Sequence, residues 1–573
     1  MKRYILLLKK ILRLIPEKFS KNIYLIFFCL SISGFMEALG IGLLIPLISE
    51  ILGNNQNFFF ITNIIDLESY NKFETIKFLL IAIFCLYLIK SIYLSKLEFF
   101  IQKYVQSVRA ELVYNLFSKY TYSNYNFSLN NNSSILLRNL TSEVSHFTAG
   151  LLEPFILLGK EFFLISLILL MLFTIDPKVS IFIIIFSIIF ILIIKNLAGK
   201  VLSRLGKEDQ SLKGKENQII LESLQGIKFL KSYNIEKIFN KKLRNILDKF
   251  IIVKTNSNAI RLLPRIWIEF ILIVFLILLG LIFNLTGLNL INFLTFSSIF
   301  IVSMLKVIPS LISCLRVLNT LSNYKASIDL IESEFHNQKS NSSKEQKINF
   351  NKIQKKFECK NIFFKFNNSK EILSDLSFSI NSKKDIIGIY GDSGSGKTTL
   401  VDILIGLLRP DKGNFYIDGN IVEDISSEKI FGYIPQSTFL FDDTIKNNIL
   451  ITKQENRQFS KEEFSEILKL TQIYDFIESL ELKENTMIGE NGSRLSGGQR
   501  QRLGIARALI YEPQILIFDE ATSGLDNETE TKIFNDLKKI SEKNSIIVVS
   551  HNENIWKHCT QVYKLQGGKL IKK

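Results

Sequence analysis

Long apolar stretches alternate with polar connections through the first half of the chain. The apolar stretches cover residues 22–50, 76–100, 147–174, 179–198, 262–284 and 291–318. A helix of about 20 apolar residues is long enough to cross the ~30 Å hydrocarbon core of a bilayer. The pattern therefore predicts an α-helical membrane domain with six transmembrane helices, which we assign to residues 1–325.

The polar connections differ in charge, and the difference predicts an orientation. The connection between residues 195 and 261 contains many cations, among them Lys200, Arg204 and Lys241, whereas the segment between the first two apolar stretches contains mainly acids. Cytoplasmic loops of membrane proteins are enriched in Lys and Arg. We therefore expect both termini in the cytoplasm, and the two long internal connections to continue there as helices.

A different pattern begins after the sixth apolar stretch. Residues 326–349 are polar and rich in Ser and Asn, a composition typical of linkers. From residue 350 to residue 573, short β-type runs such as DIIGIYG, ILIFDE and SIIVVSH alternate with helical patterns. This alternation predicts an α/β domain with a largely parallel sheet.

Composition agrees with a protein that lies partly in a membrane. The mean hydropathy is +0.22, which is high for a soluble chain. A formal net charge of +16 could indicate a nucleic-acid partner. Cytoplasmic loops of a membrane protein also make the total charge positive, so we expect no nucleic-acid partner. The five cysteines have no metal-site spacing and are interpreted as buried apolar residues.

A phosphate-binding loop follows the first predicted central strand of the second half. The run GDSGSGKTT fits the pattern G-x-x-x-x-G-K-[ST] between a strand and a helix. In such a loop the backbone N–H groups surround phosphates, the Lys reaches the β and γ oxygens, and the hydroxyl after the Lys binds Mg²⁺. The residues of this candidate ATP site are Gly391, Asp392, Ser393, Gly394, Ser395, Gly396, Lys397, Thr398 and Thr399.

Two adjacent acids end a later apolar strand, ILIFDE. Asp519 is placed to bind Mg²⁺, and Glu520 is placed to polarise the attacking water. Two carboxylates at the end of a buried strand are costly unless a cation or a substrate compensates them. The pair is thus a candidate catalytic site for ATP hydrolysis that uses Mg²⁺.

The motif LSGGQRQR between these two sites resembles the signature of the ABC ATPases, and further motifs occur in that family's order over residues 350–573. SGLD at 523–526 resembles the family's D-loop, and TMIGENG at 486–492 resembles a loop of its exporters. The resemblance implies ATP-contacting or catalytic roles for Phe366 (adenine stacking), Gln436 (Mg²⁺ and γ-phosphate), Ser496, Gly497, Gly498 and Gln499 (signature), and His551 (γ-phosphate).

The resemblance also implies the assembly. In ABC ATPases the signature residues Ser496 and Gly498 would serve the ATP held by the other subunit. One membrane half and one ATPase half are present, and Glu520 and His551 are both retained. A homodimer with two active sites is therefore expected, bound to ATP and Mg²⁺.

Domain order separates two classes of ABC protein. A soluble ABC ATPase that acts on DNA or ribosomes would share the ATPase motifs but would not have six apolar spans ahead of them. Spans followed by an ATPase domain resemble a type I exporter half transporter with helices swapped between subunits. By that resemblance, coupling helices are expected near 124–135 and near 226–236, beside Gln436. The expected location is a bacterial inner membrane.

The membrane half resembles the PglK-type flippases of lipid-linked oligosaccharides. The matching segments are MEALGIGLLIP, LLPRIWIE at 262–269, and the Pro309-Ser310 pair. A polyprenyl pyrophosphate glycan carries two negative charges, so cations in the cavity are needed. The candidates are Lys90, Arg265, Lys306 and Arg316. The flippase group has a second Arg one turn after the Pro-Ser pair, where this chain has Ser313.

Other cargoes remain open at this point. A lipid A or other lipid flippase is the second hypothesis, and a peptide or multidrug exporter is the third. The candidate cations could instead lie beyond the bilayer edge or pair with Glu37, Glu161 or Glu269. The external segment 57–68 is Phe-rich and is either a guide for the lipid tail or a helix on the membrane surface.

Glu37 lies inside the first apolar stretch, where an isolated carboxylate is costly. Because an acid repels pyrophosphate, we expect Glu37 to organise a cation, Lys90 or Arg265, or a helix contact.

Overall fold

The computed structural model describes residues 9–52, 72–175, 177–286, 290–323, 325–336, 353–366, 370–382, 385–422, 425, 430–452, 459–521, 544–550 and 553–573. These residues form two compact units. The first combines Met1–Tyr122 with Asn132–Ser342, and the second combines Ser123–Asn131 with Ser343–Lys573. A short segment of the membrane half thus belongs to the same compact unit as the ATPase half.

Long helices make up the first unit, as the apolar pattern predicts. Six of the described helices have 23 residues or more. In chain order the α-helices are α1 (Glu17–Leu52), α2 (Lys72–Thr121), α3 (Tyr125–Asn130), α4 (Ser133–Arg138), α5 (Val144–Phe147), α6 (Glu153–Ile175), α7 (Pro177–Gln225), α8 (Ile227–Tyr233), α9 (Glu236–Thr286), α10 (Leu290–Asn323) and α11 (Lys325–His336). Helix α3 lies in the second unit.

Several of these helices are apolar along their length and expose large apolar side chains, as membrane-spanning helices do. Within the described residues, Glu17–Ile48 and Phe73–Thr121 are long and apolar enough to cross a bilayer, with mean hydropathies of 1.9 and 2.2, and Phe300–Cys314 is a shorter apolar helix. Large apolar side chains such as Phe84 and Phe99 are exposed on the single chain. Surfaces of this kind require lipid or another protein chain to cover them.

Close packing between α1 and α6 depends on one glycine. A Cβ built at Gly159 would lie 2.2 Å from Cε1 of Phe27. The ring of Phe27 also meets Phe155 edge-on, with 5.6 Å between ring centroids. A larger side chain at Gly159 would therefore displace the ring of Phe27 or separate the two helices.

Helices α2, α7 and α9 have 49 to 51 residues, about twice the length that a bilayer requires. This extension matches the expectation that the internal connections continue as helices. The third apolar stretch, by contrast, does not begin as a regular helix. Residues Asn139–Glu143 and Thr148–Leu152 form π-helical turns, so the continuous α-helix starts only at Glu153.

The predicted linker 326–349 begins as helix, because α11 extends through residue 336. Ile328 and Ile331 lie on its buried side, three residues apart and so on one face of a helix. Lys10 forms ion pairs with Asp329 at 2.8 Å and Glu332 at 2.5 Å. The segment is polar overall, so its composition resembles that of a linker. Its few apolar residues are nevertheless spaced to form one buried face of a helix.

The described residues of the second unit form two sheets. The strands are β1 (Lys356–Phe364), β2 (Leu373–Asn381), β3 (Ile386–Tyr390), β4 (Lys412–Ile417), β5 (Asn420–Val422), β6 (Phe431–Ile434), β7 (Ile515–Asp519), β8 (Ser545–Val549), β9 (Gln561–Gln566) and β10 (Lys569–Lys572). One sheet is antiparallel, in the order β2-β1-β4-β5. The other has the order β10-β9-β3-β8-β7-β6, with parallel pairing from β9 to β6.

The central strands of the larger sheet are fully buried apolar runs, which is the pattern of a parallel sheet covered on both faces. Besides α3, the α-helices among the described residues of this unit are α12 (Lys397–Leu404), α13 (Ile445–Leu450), α14 (Lys461–Leu470), α15 (Tyr474–Glu478) and α16 (Gly497–Ile510). Because the strands are parallel, their carboxyl ends share one edge of the sheet. The loops after β3, β6 and β7 therefore come together there.

Candidate functional site

The loop after β3 has the backbone of a phosphate cradle. Gly394 and Gly396 have φ angles of +78° and +100°, which favour glycine. A Cβ at Gly391 would lie 2.5 Å from the carbonyl oxygen of Leu565 and 2.7 Å from Oγ of Ser395. The loop consequently needs glycine at these positions to keep its path before α12.

Lys397, the first residue of α12, folds back over this loop. Its Nζ donates to the carbonyl oxygens of Gly391 at 2.8 Å and Asp392 at 3.0 Å, and the side chain is buried. The hydroxyl of Ser395 is buried with no hydrogen-bond partner among the described residues. A buried cation beside an unsatisfied hydroxyl and a helix N-terminus suits a phosphate group. The loop therefore fits the triphosphate that the sequence predicts.

Two acids stand at the end of β7, next to the loop. Glu520 has a φ angle of +51°, an unfavourable region for a side chain of its size, and its N–H donates to the carbonyl of Val549 at 2.8 Å. Its Oε2 accepts a hydrogen bond of 2.9 Å from Nε2 of Gln436. The strained turn directs the two neighbouring carboxylates, Asp519 and Glu520, to different partners.

Asp519 is buried, and its carboxylate accepts a hydrogen bond at Oδ2 from the hydroxyl of Tyr433 at 3.2 Å. The pKa of Asp519 is raised above its ordinary value, chiefly by burial. The charge of Glu520 raises it further, whereas the hydrogen bond from Tyr433 and the charge of Lys397 act in the opposite direction. A buried carboxylate next to a second acid is the environment that a divalent cation stabilises. Asp519, exposed Thr398 and Gln436 are the residues that could hold Mg²⁺.

A third acid, Asp402 on α12, belongs to the same cluster. Burial, followed by the charge of Asp519, raises the pKa of Asp402 to about 6. The sequence motifs point to neither Asp402 nor Tyr433. Tyr433 stands in GYIPQ, three residues before Gln436, and its position beside the strand-end acid follows only from the pairing of β6 with β7.

The signature residues begin α16. Ser496 caps this helix by accepting from the N–H of Gln499 at 3.2 Å, and the Gln499 side chain accepts in return from the N–H of Ser496 at 2.8 Å. This reciprocal capping box leaves Gly497 and Gly498 at the positive end of a 14-residue helix. Ser496 and Gly497 are exposed, so the helix N-terminus is open to an anion.

The signature and the phosphate loop remain separate within one chain. Among the described residues, no hydrogen bond joins the segment Ser496–Gln499 to the loop 391–399. The loop, Lys397, Gln436, Asp519 and Glu520 are gathered at one edge of the sheet, and Phe366 lies exposed after β1, edge-on to Phe364 with 5.0 Å between centroids. His551 and the D-loop 523–526 lie outside the described residues.

Glu37 links three of the long helices in the membrane half. Its Oε2 lies 2.7 Å from Nζ of Lys90 on α2 and 3.3 Å from Nζ of Lys306 on α10. The side chain of Lys90 is only 6% exposed, whereas that of Lys306 is 39% exposed. Nζ of Lys90 also lies 4.5 Å from the ring centroid of Tyr87. Two cations thus share one carboxylate, which leaves a surplus positive charge on the accessible Lys306.

Of the other two candidate cations, one has a described side chain. Arg316 is exposed on α10. The side chain of Arg265 lies outside the described residues, as do Glu269 and the external segment 57–68. Glu37 therefore meets Lys90, one of the two cations expected for it, and also Lys306, a cavity candidate for which pairing with Glu37 was the alternative.

Two family models match the chain. The ABC transporter transmembrane region matches residues 23–308, and the ABC transporter model matches residues 373–523. A putative export ATP-binding/permease protein of Rickettsia typhi, RT0691, is 39% identical over 219 residues, which is 37% of each chain. The alignment thus spans little more than a third of that relative's length.

Longer similarity exists at lower identity. The ATP-dependent lipid A-core flippase of Syntrophus aciditrophicus is 26% identical over 509 residues, covering 87% of this chain and 82% of the relative. The structure of a bacterial Atm1-family ABC exporter with ATP bound matches with a TM-score of 0.74 at 19% identity, covering 97% and 95% of the two chains. At that identity the match shows the fold, which is that of a type I ABC exporter.

Proposed function

The chain belongs to the ABC transporters as an exporter-type half transporter, and we propose that it is an ATP-driven flippase for an anionic lipid-linked oligosaccharide. The observation that supports an anionic cargo is the cluster of Lys90, Glu37 and Lys306, and the choice of a lipid-linked oligosaccharide among anionic lipids follows the resemblance of the membrane segments. Ionisable groups inside apolar helices are expensive and mark functional sites. Two lysines on one carboxylate leave a net positive charge of one, which favours a negatively charged cargo.

The two lysines of this cluster differ in exposure, and we assign them different roles for that reason. Lys90 is buried against Glu37 and Tyr87, so its charge is already neutralised. Lys306 keeps a longer contact with Glu37 and remains accessible, so it is the cation that meets a phosphate. A pyrophosphate presents several oxygen acceptors to such a group. A glycan linked to polyprenyl pyrophosphate combines this headgroup with a tail that stays in the lipid.

The ATP site supplies the driving reaction. Mg²⁺ held by Thr398, Gln436 and Asp519 would neutralise charge on the β and γ phosphates. Lys397 leaves the loop carbonyls to bind phosphate oxygens. Glu520 orients the attacking water and accepts its proton, which requires that Gln436 release the Glu520 carboxylate. We assign Phe366 to adenine stacking and His551 to the γ-phosphate.

A second copy of the chain completes the assembly. The N-terminus of α16 at Ser496 is exposed and, among the described residues, makes no hydrogen bond to the phosphate loop of its own chain, which suits an ATP held by the other subunit. Helix α8 also presents exposed aromatic residues, Phe229 and Tyr233, whose ring centroids lie 4.6 Å apart. Exposed aromatic pairs are typical of protein interfaces. We therefore propose a homodimer with swapped helices, in a bacterial inner membrane with both termini cytoplasmic.

The next candidate cargo is lipid A or a related lipid. Its specific support is the 26% identity over most of the chain to a protein named as a lipid A-core flippase. Lipid A also carries phosphates, so the same lysine cluster suits it. The two cargoes differ in the linkage between lipid and sugar, and stimulation of ATP hydrolysis by each of them separates the two hypotheses.

Stimulation of ATP hydrolysis in proteoliposomes tests the cargo. A polyprenyl pyrophosphate glycan is compared with lipid A, with a peptide mixture and with the same polyprenyl lipid lacking its pyrophosphate. We expect stimulation by the pyrophosphate glycan and a higher half-saturating concentration in Lys306→Gln. Lys96→Gln is the matched control, because Lys96 is an exposed lysine of α2 without a described ion pair. Stimulation by lipid A alone, or equal effects of both variants, contradicts the assignment.

A further inference from the structure

The accessible lysine of the membrane half shares its carboxylate with a buried lysine. Oε2 of Glu37 on α1 lies 3.3 Å from Nζ of Lys306 on α10 and 2.7 Å from Nζ of Lys90 on α2. One oxygen atom thus serves both cations. An anion that approaches the exposed side chain of Lys306 therefore also approaches a negative charge of the protein.

The buried lysine has little freedom to leave this carboxylate. The side chain of Lys90 is enclosed, and its Nζ lies 4.5 Å from the ring centroid of Tyr87, three residues earlier on α2. That ring packs on α1, because a Cβ built at Gly40 would lie 3.2 Å from Cε2 and 3.3 Å from the hydroxyl oxygen of Tyr87. Lys90 therefore holds Glu37 in place when Lys306 binds another anion.

The accessible lysine is held at its backbone and open at its ammonium group. The carbonyl oxygen of Lys306 accepts a hydrogen bond of 3.1 Å from the hydroxyl of Ser310, a buried residue one turn further on α10. An ammonium group has three N–H donors, so Lys306 can bind a phosphate oxygen while one donor still faces Glu37. The phosphate then lies close to a carboxylate that stays in place.

The distance between these two anions sets the size of their repulsion. A phosphate oxygen bonded to an ammonium lies about 2.8 Å from the nitrogen. Added to the 3.3 Å between Lys306 and Glu37, this places the phosphate oxygen at most about 6 Å from Oε2 of Glu37. Like charges at about 6 Å weaken binding about 3-fold at the dielectric constant of water and about 100-fold at an effective value of about 20.

We propose that Glu37 tunes the affinity for the cargo headgroup: it fixes the two lysines and opposes the phosphate that binds Lys306, so that the headgroup is released after transport. This inference rests on the proposed function and adds to it a residue that sets binding against release. A transport site must bind strongly enough to load and weakly enough to unload. Two lysines without the carboxylate would satisfy only the first requirement.

Equilibrium binding of labelled farnesyl pyrophosphate, a short polyprenyl pyrophosphate, to purified full-length protein in detergent tests this proposal. We expect Glu37→Gln to bind it about 3-fold to 100-fold more tightly than the wild type, and Lys306→Gln to bind it more weakly. Farnesol, which has the same tail and no charge, should bind equally to all of them. Glu98→Gln is the matched control, because Glu98 is an exposed acid of α2 that faces Gln102 at 3.4 Å.

A charge-matched variant separates the position of Glu37 from the total charge of the cluster. Glu37→Gln combined with Lys90→Met keeps the formal charge of the wild type and has no carboxylate beside Lys306. It also removes the buried lysine that the single change leaves uncompensated, so it should fold even where the single variant is unstable. We expect it to bind farnesyl pyrophosphate more tightly than the wild type. Binding equal to that of the wild type overturns the proposal, because the net charge alone would then set the affinity.

Transport in proteoliposomes supplies a second measurement. In the charge-matched variant the half-saturating concentration of the polyprenyl pyrophosphate glycan should fall, and the maximal rate should fall with it, because a tightly held cargo leaves slowly. A merely structural role of Glu37 predicts a lower rate with an unchanged or raised half-saturating concentration, and that result overturns the inference while the proposed function stands. If wild-type protein binds farnesyl pyrophosphate no better than farnesol, the proposed anionic cargo fails and the inference fails with it.

Discussion

Replacement of Glu37 by Gln is the most informative change in the membrane half, because it removes the charge shared by Lys90 and Lys306 and nearly preserves the side-chain volume. The two partners should respond unequally. Breaking a buried ion pair costs about 3–5 kcal/mol, since the remaining charge is left uncompensated, whereas an exposed pair contributes about 0–1 kcal/mol. The side chain of Lys90 is 6% exposed, and that of Lys306 is 39% exposed.

A double-mutant cycle measures this difference. Purified protein in detergent is unfolded with denaturant as the wild type, as Glu37→Gln, as each lysine-to-Met variant, and as the two double variants. We expect Glu37→Gln to lower stability by about 3 kcal/mol and Lys90→Met to restore most of that loss when it is added. Lys306→Met should restore less than 1 kcal/mol, a value at the level of exposed pairs.

The same cycle can contradict the interpretation of the lysine cluster. A coupling free energy between Glu37 and Lys306 that equals or exceeds the coupling between Glu37 and Lys90 would show that Lys306 is not the freer cation. Unchanged stability and unchanged transport in Glu37→Gln would show that the carboxylate organises neither a cation nor a helix contact.

Three further changes test the ATP site. Glu520→Gln should bind ATP normally and lose at least ~100-fold of its turnover, because a missing general base costs a factor on this scale. Substantial remaining hydrolysis, measured by phosphate release, would rule out Glu520 as the general base. Gly391→Ala should abolish nucleotide-induced thermal stabilisation, because its Cβ would meet the Leu565 carbonyl at 2.5 Å. Gly214→Ala on α7, where a Cβ meets open space, is the control and should retain it. Burial raises the pKa of Asp402 from 3.8 in the unfolded chain to about 6. The folded state therefore binds this proton more tightly, and the free energy of unfolding measured in EDTA should fall as the pH rises from about 4 to about 6. If the Asp402→Asn protein shows the same pH dependence of unfolding as the wild type, this explanation is wrong.

The ATPase half was predictable because its chemistry lies in short local motifs. The segment 391–399 and the pair Asp519 and Glu520 are each contiguous, and parallel strands bring their ends to one edge whatever the details of packing. Tyr433 and Asp402 could not be found this way, because their relation to Asp519 depends on strand pairing and on burial between distant segments.

The membrane half shows the same limit. Apolar length predicts the long helices, since a bilayer constrains all of them in the same way. It does not predict the π-helical turns before Glu153 or the helix inside the predicted linker, which depend on local packing. The sharing of Glu37 by Lys90 and Lys306 likewise depends on how three helices rotate against one another, which apolar stretches alone leave undetermined.

Direct measurement of cargo movement tests the proposed flippase activity most directly. A fluorescent polyprenyl pyrophosphate glycan is placed in proteoliposomes, and its protection from a membrane-impermeant quencher is followed after ATP is added. Wild-type protein should move the lipid in the presence of ATP and Mg²⁺, and Glu520→Gln protein should not. Equal protection with and without ATP, or ATP-dependent movement of lipid A but not of the glycan lipid, would contradict the proposed function.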